Sequence, residues 1–315
     1  MTDILTVTVN PAIDVASSAE AVVHTHKIRC RDVSRDPGGG GINVARVVSR
    51  FGGTCRALYP VGGPLGELLR RLVAQEDVDS ICTGIADDTR ESFTVCDTTR
   101  GREFRFVLPG PEIAEAEWQA ILARVAELDP APGYVVASGS LTPGVPDDFY
   151  AELGTIARSR GARFVLDTSG PALSAALEAG VYLVKPNLRE LGELVGRPLE
   201  NERSWREAAE SLVETGKAEA VALSLGHRGA LLACAEGTWR APGLKIEPAS
   251  AVGAGDSFLG GMVWALAGGR DMPDAFRYAV ASGSAALLST GTGLCRWQDV
   301  EQLYPEVTLK PLSKR

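Results

Sequence analysis

Aromatic side chains and paired cysteines are both scarce in this chain of 315 residues. Phe, Trp and Tyr together make up 6% of it, and the six cysteines are scattered without a C-x-x-C motif. Scattered cysteines in a chain of this length indicate free thiols in a reducing compartment, and the three histidines show no metal-ligand spacing with them. We therefore expect a cytoplasmic protein that has no zinc site.

Long apolar runs and an excess of positive charge are also lacking. No stretch reaches the roughly 18 apolar residues that a membrane span needs. The chain has 32 Lys and Arg against 40 Asp and Glu, a formal net charge of −8, which does not favour a polyanion-binding surface. We therefore expect neither a membrane nor a nucleic acid as a partner.

Glycine is abundant, at 35 residues. Along the chain, short apolar runs typical of strands alternate with longer segments whose apolar residues have a helical period. Short β-branched runs such as Ile4–Val9 and Tyr134–Ala137 predict buried strands, and longer periodic segments such as Ala254–Leu266 predict helices. This alternation predicts one α/β domain over 1–315, with a mostly parallel sheet covered on both faces.

Two segments break this alternation. The first, from Val15 to Ser34, is rich in Val and Thr and has no helical period. The second predicts two strands, Ser92–Asp97 and Glu103–Val107, joined by a turn. These segments predict a small β layer that projects from the main sheet.

Four consecutive glycines, Gly38 to Gly41, lead directly into a helical pattern. Glycine permits positive φ and a close approach of the backbone to a ligand, and free N–H groups at a helix start favour an anion or a hydroxyl-rich ligand. A dinucleotide fingerprint is excluded, because Asn43 stands where its third glycine belongs. A purely structural glycine turn is the alternative.

A second glycine-containing segment, 251–255, precedes Asp256 and an apolar helical pattern. Small residues at a helix start leave consecutive N–H donors exposed as an anion hole, and the helix dipole there favours an ionised carboxylate. A carboxylate beside an anion hole suits phosphoryl transfer, in which the base accepts a hydroxyl proton. Alternatively, Asp256 only satisfies the start of its own helix.

The segment from Lys185 to Glu190 follows a predicted strand and therefore lies at the edge where open α/β sheets bind ligands. Asn187 and Glu190 fit a capping pair for the next helix, which leaves a metal-water role for Glu190 open. Ser224-Leu225-Gly226, followed by Gly229, also comes after a strand. No Walker A motif is present, so any ATP chemistry needs a different phosphate cradle.

Four cations lie in or near the two irregular segments: Lys27, Arg29, Arg90 and Arg105. Lys27 and Arg29 are spaced to share one face of a strand. A sugar phosphate would need such concentrated positive charge in an acidic protein. Solvated strand cations are the alternative for each of them.

In their order along the chain, these motifs resemble those of the ribokinase-like (PfkB-type) carbohydrate kinases, over roughly residues 3–300. The motifs are Asn10 to Asp14, Pro37 to Arg46, Ser138 to Gly144, Lys185 to Glu190, Ser224 to Gly226 and Gly253 to Asp256. Within the family the chain is similar to the minor-type bacterial 6-phosphofructokinase branch. Gly40 stands where the 1-phosphofructokinase and tagatose-phosphate branches carry Lys.

The resemblance implies a three-layer α/β/α ribokinase-like fold whose small β sheet, from segments about 12–35 and 88–108, forms a lid. It implies a glycolytic kinase that uses ATP and Mg²⁺ to phosphorylate the C1 hydroxyl of fructose 6-phosphate. A lid of exposed strands would exclude water and pair into a homodimer. The alternatives are a kinase for fructose 1-phosphate or tagatose 6-phosphate, and a non-catalytic sugar-phosphate sensor.

The resemblance also implies a role for individual residues. The sugar hydroxyls would be held by Asp14, Gly38, Gly39, Asn43 and Ser140. The sugar's phosphate would be held by Lys27, Arg29, Arg90 and Arg105, with one cation contributed by a dimer partner. Asp256 would be the base, and Gly253, Ala254 and Gly255 the anion hole. ATP would contact Lys185, Asn187, Ser224, Gly226, Gly229 and Ser284. Glu190 would hold Mg²⁺ through water, and K⁺ would be held by Ser250, Val252, Ala286, Ser289 and Gly291.

Overall fold

The computed structural model describes residues 3–24, 26–289, 291 and 293–312. In this part of the chain the strands are β1 Ile4–Val7, β2 Ala12–Ala19, β3 Arg31–Gly38, β4 Cys55–Val61, β5 Asp79–Gly84, β6 Arg90–Asp97, β7 Arg102–Val107, β8 Tyr134–Ser138, β9 Arg163–Asp167, β10 Val181–Val184, β11 Ala218–Ser224, β12 Gly229–Cys234, β13 Gly237–Pro242 and β14 Lys310–Pro311.

The α-helices of the same residues alternate with these strands. They are α1 Gly40–Arg50, α2 Gly63–Ala74, α3 Glu115–Glu127, α4 Phe149–Ser159, α5 Gly170–Glu178, α6 Leu188–Leu194, α7 Glu202–Glu214, α8 Ala254–Ala267, α9 Met272–Ala286 and α10 Trp297–Leu303. None of these described helices is both long and apolar enough to cross a bilayer.

The main sheet has the strand order β14-β13-β12-β11-β10-β9-β8-β1-β4-β5. Neighbours from β5 to β11 run parallel, and β12, β13 and β14 add an antiparallel edge. Helices α1, α2, α8, α9 and α10 pack on one face and α3 to α7 on the other. Ile4 and Leu5 of β1 are fully buried in opposite faces, since successive side chains of a strand point in opposite directions. The predicted three-layer architecture is confirmed.

A second sheet has the order β3-β2-β6-β7. Strand β2 pairs antiparallel with β3 and parallel with β6, and β6 pairs antiparallel with β7. Its outer strands are largely exposed, and Val33, Phe106 and Val107 present apolar side chains to solvent at 53%, 53% and 59% exposure. We call these four strands the small sheet.

The segment that joins β2 to β3 corrects one prediction. Lys27 and Arg29 do not lie on a strand, because the described residues from 20 to 30 form a loop and β3 begins only at Arg31. The buried Asp97 carboxylate accepts hydrogen bonds from the Val22 and Arg100 N–H groups, at 3.0 and 2.9 Å. The Val22 bond ties the chain after β2 to the end of β6, and both cations lie on the exposed loop that follows.

Candidate active site

A cavity of about 300 Å³ lies between the small sheet and the carboxyl edge of the main sheet. Its lining combines residues of both sheets with the starts of α1 and α8: Ala12, Asp14, Gly39, Gly40, Asn43, Arg90, Ser92, Arg105, Val107, Ser138, Gly139, Ser140, Asp167, Thr168, Ser169, Glu190 and Asp256. A larger depression, about 490 Å³ at the start of α9, holds none of the motif residues, so chemistry rather than volume locates the candidate site.

Eight of the sequence-predicted residues line this cavity. They are Asp14, Gly39, Asn43, Arg90, Arg105, Ser140, Glu190 and Asp256. Gly38 lies directly behind Asp14, since a Cβ on Gly38 would come within 2.4 Å of the Asp14 carboxylate. Lys27 and Arg29 lie outside the cavity lining, on the exposed loop after β2.

Asp256 lies in the first turn of α8, which starts after Gly253 in the left-handed conformation, with φ 74°. The Asn43 side chain donates from Nδ2 to Asp256 Oδ2 at 2.8 Å. Burial raises the pKa of Asp256, and this effect outweighs the Asn43 hydrogen bond and the Lys185 charge. The helix start favours an ionised carboxylate, as the sequence predicts, but desolvation is the larger effect here. A carboxylate with a raised pKa is a stronger proton acceptor.

Behind this carboxylate lies a buried ion pair whose anion the sequence reasoning missed. Lys185 is 6% exposed, and its Nζ is 3.1 Å from Asp167 Oδ2. Burial raises the pKa of Asp167 to about 6, against the opposing effect of Lys185 and with the help of the Asp256 charge. Burial alone would lower the pKa of Lys185, but the carboxylates around it, led by Asp167, raise it. The lysine therefore stays charged beside Asp256.

A third carboxylate faces the cations of the small sheet. Asp14 on β2 is 8% exposed, and burial raises its pKa while Arg105 and Arg90 oppose that rise. Arg90 donates from Nη1 to Leu108 O at 2.9 Å and from Nη2 to Asn10 O at 3.1 Å. Arg90 thus fixes the backbone on two sides of the cavity, whereas Arg105 is exposed and has its donors available for a ligand.

Two hydroxyl groups that the sequence reasoning missed hold the backbone at the end of β8. Tyr150 and Thr168 both donate to Gly139 O, each at 2.9 Å. Gly139 has φ +119°, a conformation that favours glycine. These bonds orient the following residue, Ser140, at the cavity wall. A lone Tyr and a lone Thr form no motif, so the sequence offered no signal for them.

The nucleotide motifs meet at the same edge of the sheet. Asn187 and Ser224 form a parallel β-bridge, and the Ser224 N–H donates to Pro186 O at 3.0 Å. Asn187 and Glu190 form the predicted capping box, with both bonds at 2.9 Å. Beyond this bridge the chain reaches Gly226, which is exposed and has φ +59°. Gly229 instead packs closely against β13, since a Cβ there would lie 2.5 Å from Pro242 C.

The cavity lining offers only a few carboxylate oxygen atoms that are suited to bind a divalent cation. Glu190 and Asp167 supply carboxylates, which are ligands that Mg²⁺ accepts together with water and substrate phosphates. Within the described residues, no group of three His, Cys, Asp or Glu side chains is arranged to hold a metal. The donor set therefore fits an ion that is shared with a phosphate ligand.

The loop before α8 packs against the end of α9 and against the small sheet. The Ala249 N–H donates to Leu287 O at 2.7 Å, and Ser250 Oγ donates to Glu103 Oε2 of β7 at 3.2 Å. The residues that the resemblance implies for K⁺ lie on this loop or around the end of α9: Ser250, Val252, Ala286, Ser289 and Gly291. Ser284 lies on α9, two residues before its last residue.

These contacts bring together a proton acceptor and a cationic wall in one small cavity, beside the start of α8. The first backbone N–H groups of α8 lack intrahelical partners and are suited to stabilise negative oxygen atoms. The geometry supports transfer of an anionic group to a hydroxyl held between the two sheets.

Comparisons with known proteins agree with this chemistry. A family model described as pfkB family carbohydrate kinase matches residues 7–299. The ATP-dependent 6-phosphofructokinase isozyme 2 of Mycobacterium tuberculosis is 41% identical over 98% of this chain and 90% of its own length. The 1-phosphofructokinase of Bacillus subtilis is 33% identical, over 98% of this chain and all of its own length. The crystal structure of phosphofructokinase-2 from Escherichia coli in complex with fructose-6-phosphate aligns with a TM-score of 0.92 at 38% identity, over 98% and 99% of the two chains.

Proposed function

The chain belongs to the pfkB family of carbohydrate kinases, and we propose that it phosphorylates the C1 hydroxyl of fructose 6-phosphate with ATP. One observation carries this proposal: the Asn43–Asp256 pair faces Arg90 and Arg105 across a single cavity. A substrate with a hydroxyl at one end and a phosphate at the other fits that arrangement of charges. The 6-phosphofructokinase relative supports the same sugar.

Asp256 accepts the proton of the C1 hydroxyl while the hydroxyl oxygen attacks the γ-phosphorus of ATP. The bond between that phosphorus and the ADP oxygen breaks, and ADP leaves with the electron pair. The backbone N–H groups of Gly253, Ala254 and Gly255 stabilise the oxygen atoms of the phosphoryl group in transfer. Lys185 Nζ lies 3.6 Å from a Cβ built on Gly255, and this short distance supports a role for the lysine charge in stabilising the same oxygen atoms.

Asp14, Gly38, Gly39, Asn43 and Ser140 hold the sugar hydroxyls in this proposal. Arg105, whose side chain is exposed, binds the sugar's phosphate with paired donors. Arg90, which donates to Leu108 O and Asn10 O, adds its positive charge beside the same phosphate. Lys27 and Arg29 are not among the lining residues of the cavity, so we assign the phosphate contact of their loop to a homodimer in which one chain's loop reaches its partner's cavity.

The small sheet supports that dimer and a role as the lid. Its exposed apolar side chains, Val33, Phe106 and Val107, and its open strand edges would be covered by a second copy. A paired small sheet over the cavity would exclude water and so limit ATP hydrolysis.

ATP binds along the edge that carries Lys185, Asn187, Ser224, Gly226 and Gly229, with Ser284 of α9 nearby. Glu190 holds Mg²⁺ through water, and the ion supplies charge neutralisation for the phosphate oxygens. The loop before α8 and the end of α9 supply backbone and hydroxyl oxygen atoms for K⁺ through the five residues named above. We place the reaction in the cytoplasm, in glycolysis.

A coupled ADP-release assay tests the substrate. ATP and Mg²⁺ are supplied with fructose 6-phosphate, fructose 1-phosphate or tagatose 6-phosphate, each with and without K⁺. We expect the highest kcat/KM for fructose 6-phosphate. Preference for either other sugar would make the chain the corresponding sugar-phosphate kinase, and binding of a sugar phosphate without any turnover would make it a sensor.

A further inference from the structure

A buried arginine of α1 lies next to the cavity residue Asn43 but does not itself line the cavity. Arg46 is 2% exposed, and arginine is rarely buried so completely unless its charge is paired. Nη2 donates to Glu76 Oε1 at 2.6 Å, and Nη1 donates to Pro37 O at 3.1 Å and to Asn43 Oδ1 at 3.2 Å. The guanidinium therefore contacts the end of β3, the segment after α2 and a residue of the cavity.

The contact with Asn43 decides which way its carboxamide faces. A guanidinium has only donors, so the carboxamide must turn its oxygen towards Arg46. Its Nδ2 then points the other way and donates to Asp256 at 2.8 Å. A reversed carboxamide would place N–H groups against the guanidinium and an oxygen against the Asp256 carboxylate, and both contacts would be repulsive.

Arg46 is itself fixed from outside the cavity. The Glu76 carboxylate forms ion pairs with two arginines: Oε1 lies 2.6 Å from Arg46 Nη2, and Oε2 lies 2.8 Å from Arg50 Nη2. Burial would raise the pKa of Glu76, but the two arginines lower it, so the carboxylate remains ionised. Arg50 shares this anchor and the same helix, yet no contact joins it to Asn43 among the described hydrogen bonds.

We propose that Arg46 is a positioning residue that holds the Asn43 carboxamide in the one orientation that donates to Asp256. The inference rests on the proposed function, in which Asp256 accepts the hydroxyl proton. Through Pro37 O, at the end of β3, the same guanidinium ties this orientation to the small sheet. Arg46 acts through Asn43 and does not itself touch the substrate.

Arg46→Met tests the proposal, with Arg50→Met as the matched control. We expect Arg46→Met to lower kcat by about tenfold while the KM for ATP stays unchanged. The acid limb of the kcat/KM profile should move to higher pH, because Asp256 loses a hydrogen bond that lowers its pKa. Arg46→Lys, which keeps a donor, should recover part of the loss, and Arg50→Met should keep both kcat and the acid limb of the parent.

An Asn43→Ala background separates positioning from a general structural effect. If Arg46 acts through Asn43, replacing Arg46 in this background costs little further activity. An equal loss in both backgrounds, or a folded Arg46→Met protein with the parent's kcat and acid limb, would overturn the proposal. If Arg46→Met does not fold, Arg46→Lys in both backgrounds gives the same comparison.

A measurement without turnover keeps this inference separate from the proposed function. A ¹³C NMR titration of the Asp256 carboxyl should show a higher pKa in Arg46→Met than in the parent chain, a smaller rise in Arg46→Lys, and no change in Arg50→Met. An unchanged Asp256 titration in Arg46→Met would refute the link. Failure of the parent chain to phosphorylate any of the three sugars would instead refute the proposed function and leave this titration to decide the role of Arg46.

Discussion

The two sheets of this protein differ in what surrounds them. The central strands β1 and β8 of the main sheet are buried on both faces. The outer strands β3 and β7 of the small sheet are mostly exposed, and β7 has no fully buried residue. Side chains in the first environment are held by packing on all sides, whereas those in the second gain little from packing within a single chain.

This difference separates the two parts of the candidate chemistry. Asp256 starts a helix that packs tightly into the core, since a Cβ on Gly260 would lie only 2.7 Å from Val47 Cβ. Arg105 lies on the exposed β7. The proposed proton acceptor is therefore on the packed part of the molecule, and the proposed phosphate-binding cation is on the accessible part. Changes to the first should act on kcat, and changes to the second on the KM for the sugar.

The largest expected effect is that of Asp256→Ala. Loss of the proton acceptor should reduce kcat by roughly 10²–10⁴-fold, the usual range for a general base. Sugar binding should be retained, because the phosphate contacts belong to the small sheet. Steady-state kinetics and calorimetric titration with fructose 6-phosphate measure the two quantities. Near-normal turnover in this variant would show that Asp256 is not the base. It would also contradict the expectation that changes in the main sheet act on kcat and changes in the small sheet on the KM for the sugar.

Arg105→Ala should produce the opposite kinetic pattern. We expect the KM for the sugar phosphate to rise about tenfold or more, since one charge-assisted contact is lost, with a smaller change in kcat. Thermal unfolding should be unaffected, because the side chain is exposed. Arg102→Ala, at the exposed start of the same strand, is the control and should leave the KM unchanged. An unchanged KM in Arg105→Ala would mean that the phosphate binds elsewhere.

The same contrast explains how much of the fold the sequence predicts. In the main sheet, burial dictates the spacing of apolar residues along the sequence. The predicted strand Tyr134–Ala137 and the predicted helix Ala254–Leu266 therefore agree with β8 and α8 to within one residue. In the small sheet the sequence predicts the hairpin of β6 and β7, which the structure contains, but it also predicts a strand at Lys27 and Arg29, where the structure has a loop. The bond from Val22 to Asp97 joins that loop to a residue 75 positions along the chain, and a periodic pattern within the loop cannot predict such a contact.

The candidate site shows the same limit. Asp256 and Asn43 stand in glycine-rich motifs, and the structure brings them together as a hydrogen-bonded pair. Asp167 stands in no motif, and it reaches Lys185 only because β9 and β10 are neighbours in the sheet. Arg46 is three residues from Asn43 and could have been noticed by helical spacing, but its burial depends on the tertiary position of Glu76.

The smallest expected effect tests whether the small sheet is stabilised independently of the main sheet. Hydrogen bonds, first of all from the Val22 N–H, lower the pKa of Asp97 to about 2. A carboxyl whose folded pKa lies below its unfolded value stabilises the fold at neutral pH, and this stabilisation is lost as the pH falls from about 4 towards 2. Asp97→Asn should therefore loosen the loop near neutral pH, while the difference from the parent shrinks in acid.

Hydrogen exchange at the Val22 amide and tryptic cleavage after Lys27 and Arg29 measure that loosening. We expect both to become faster in Asp97→Asn at pH 7, with little change in the main thermal transition, because the hydrogen bonds to this carboxylate come from Val22 and Arg100, which lie in the two connections of the small sheet. Asp79→Asn, at an exposed position on the edge of the main sheet, should change neither rate. A large fall in the melting temperature of Asp97→Asn would instead show that the two sheets unfold as one unit, and that the small sheet draws its order from the same cooperative transition as the buried strands.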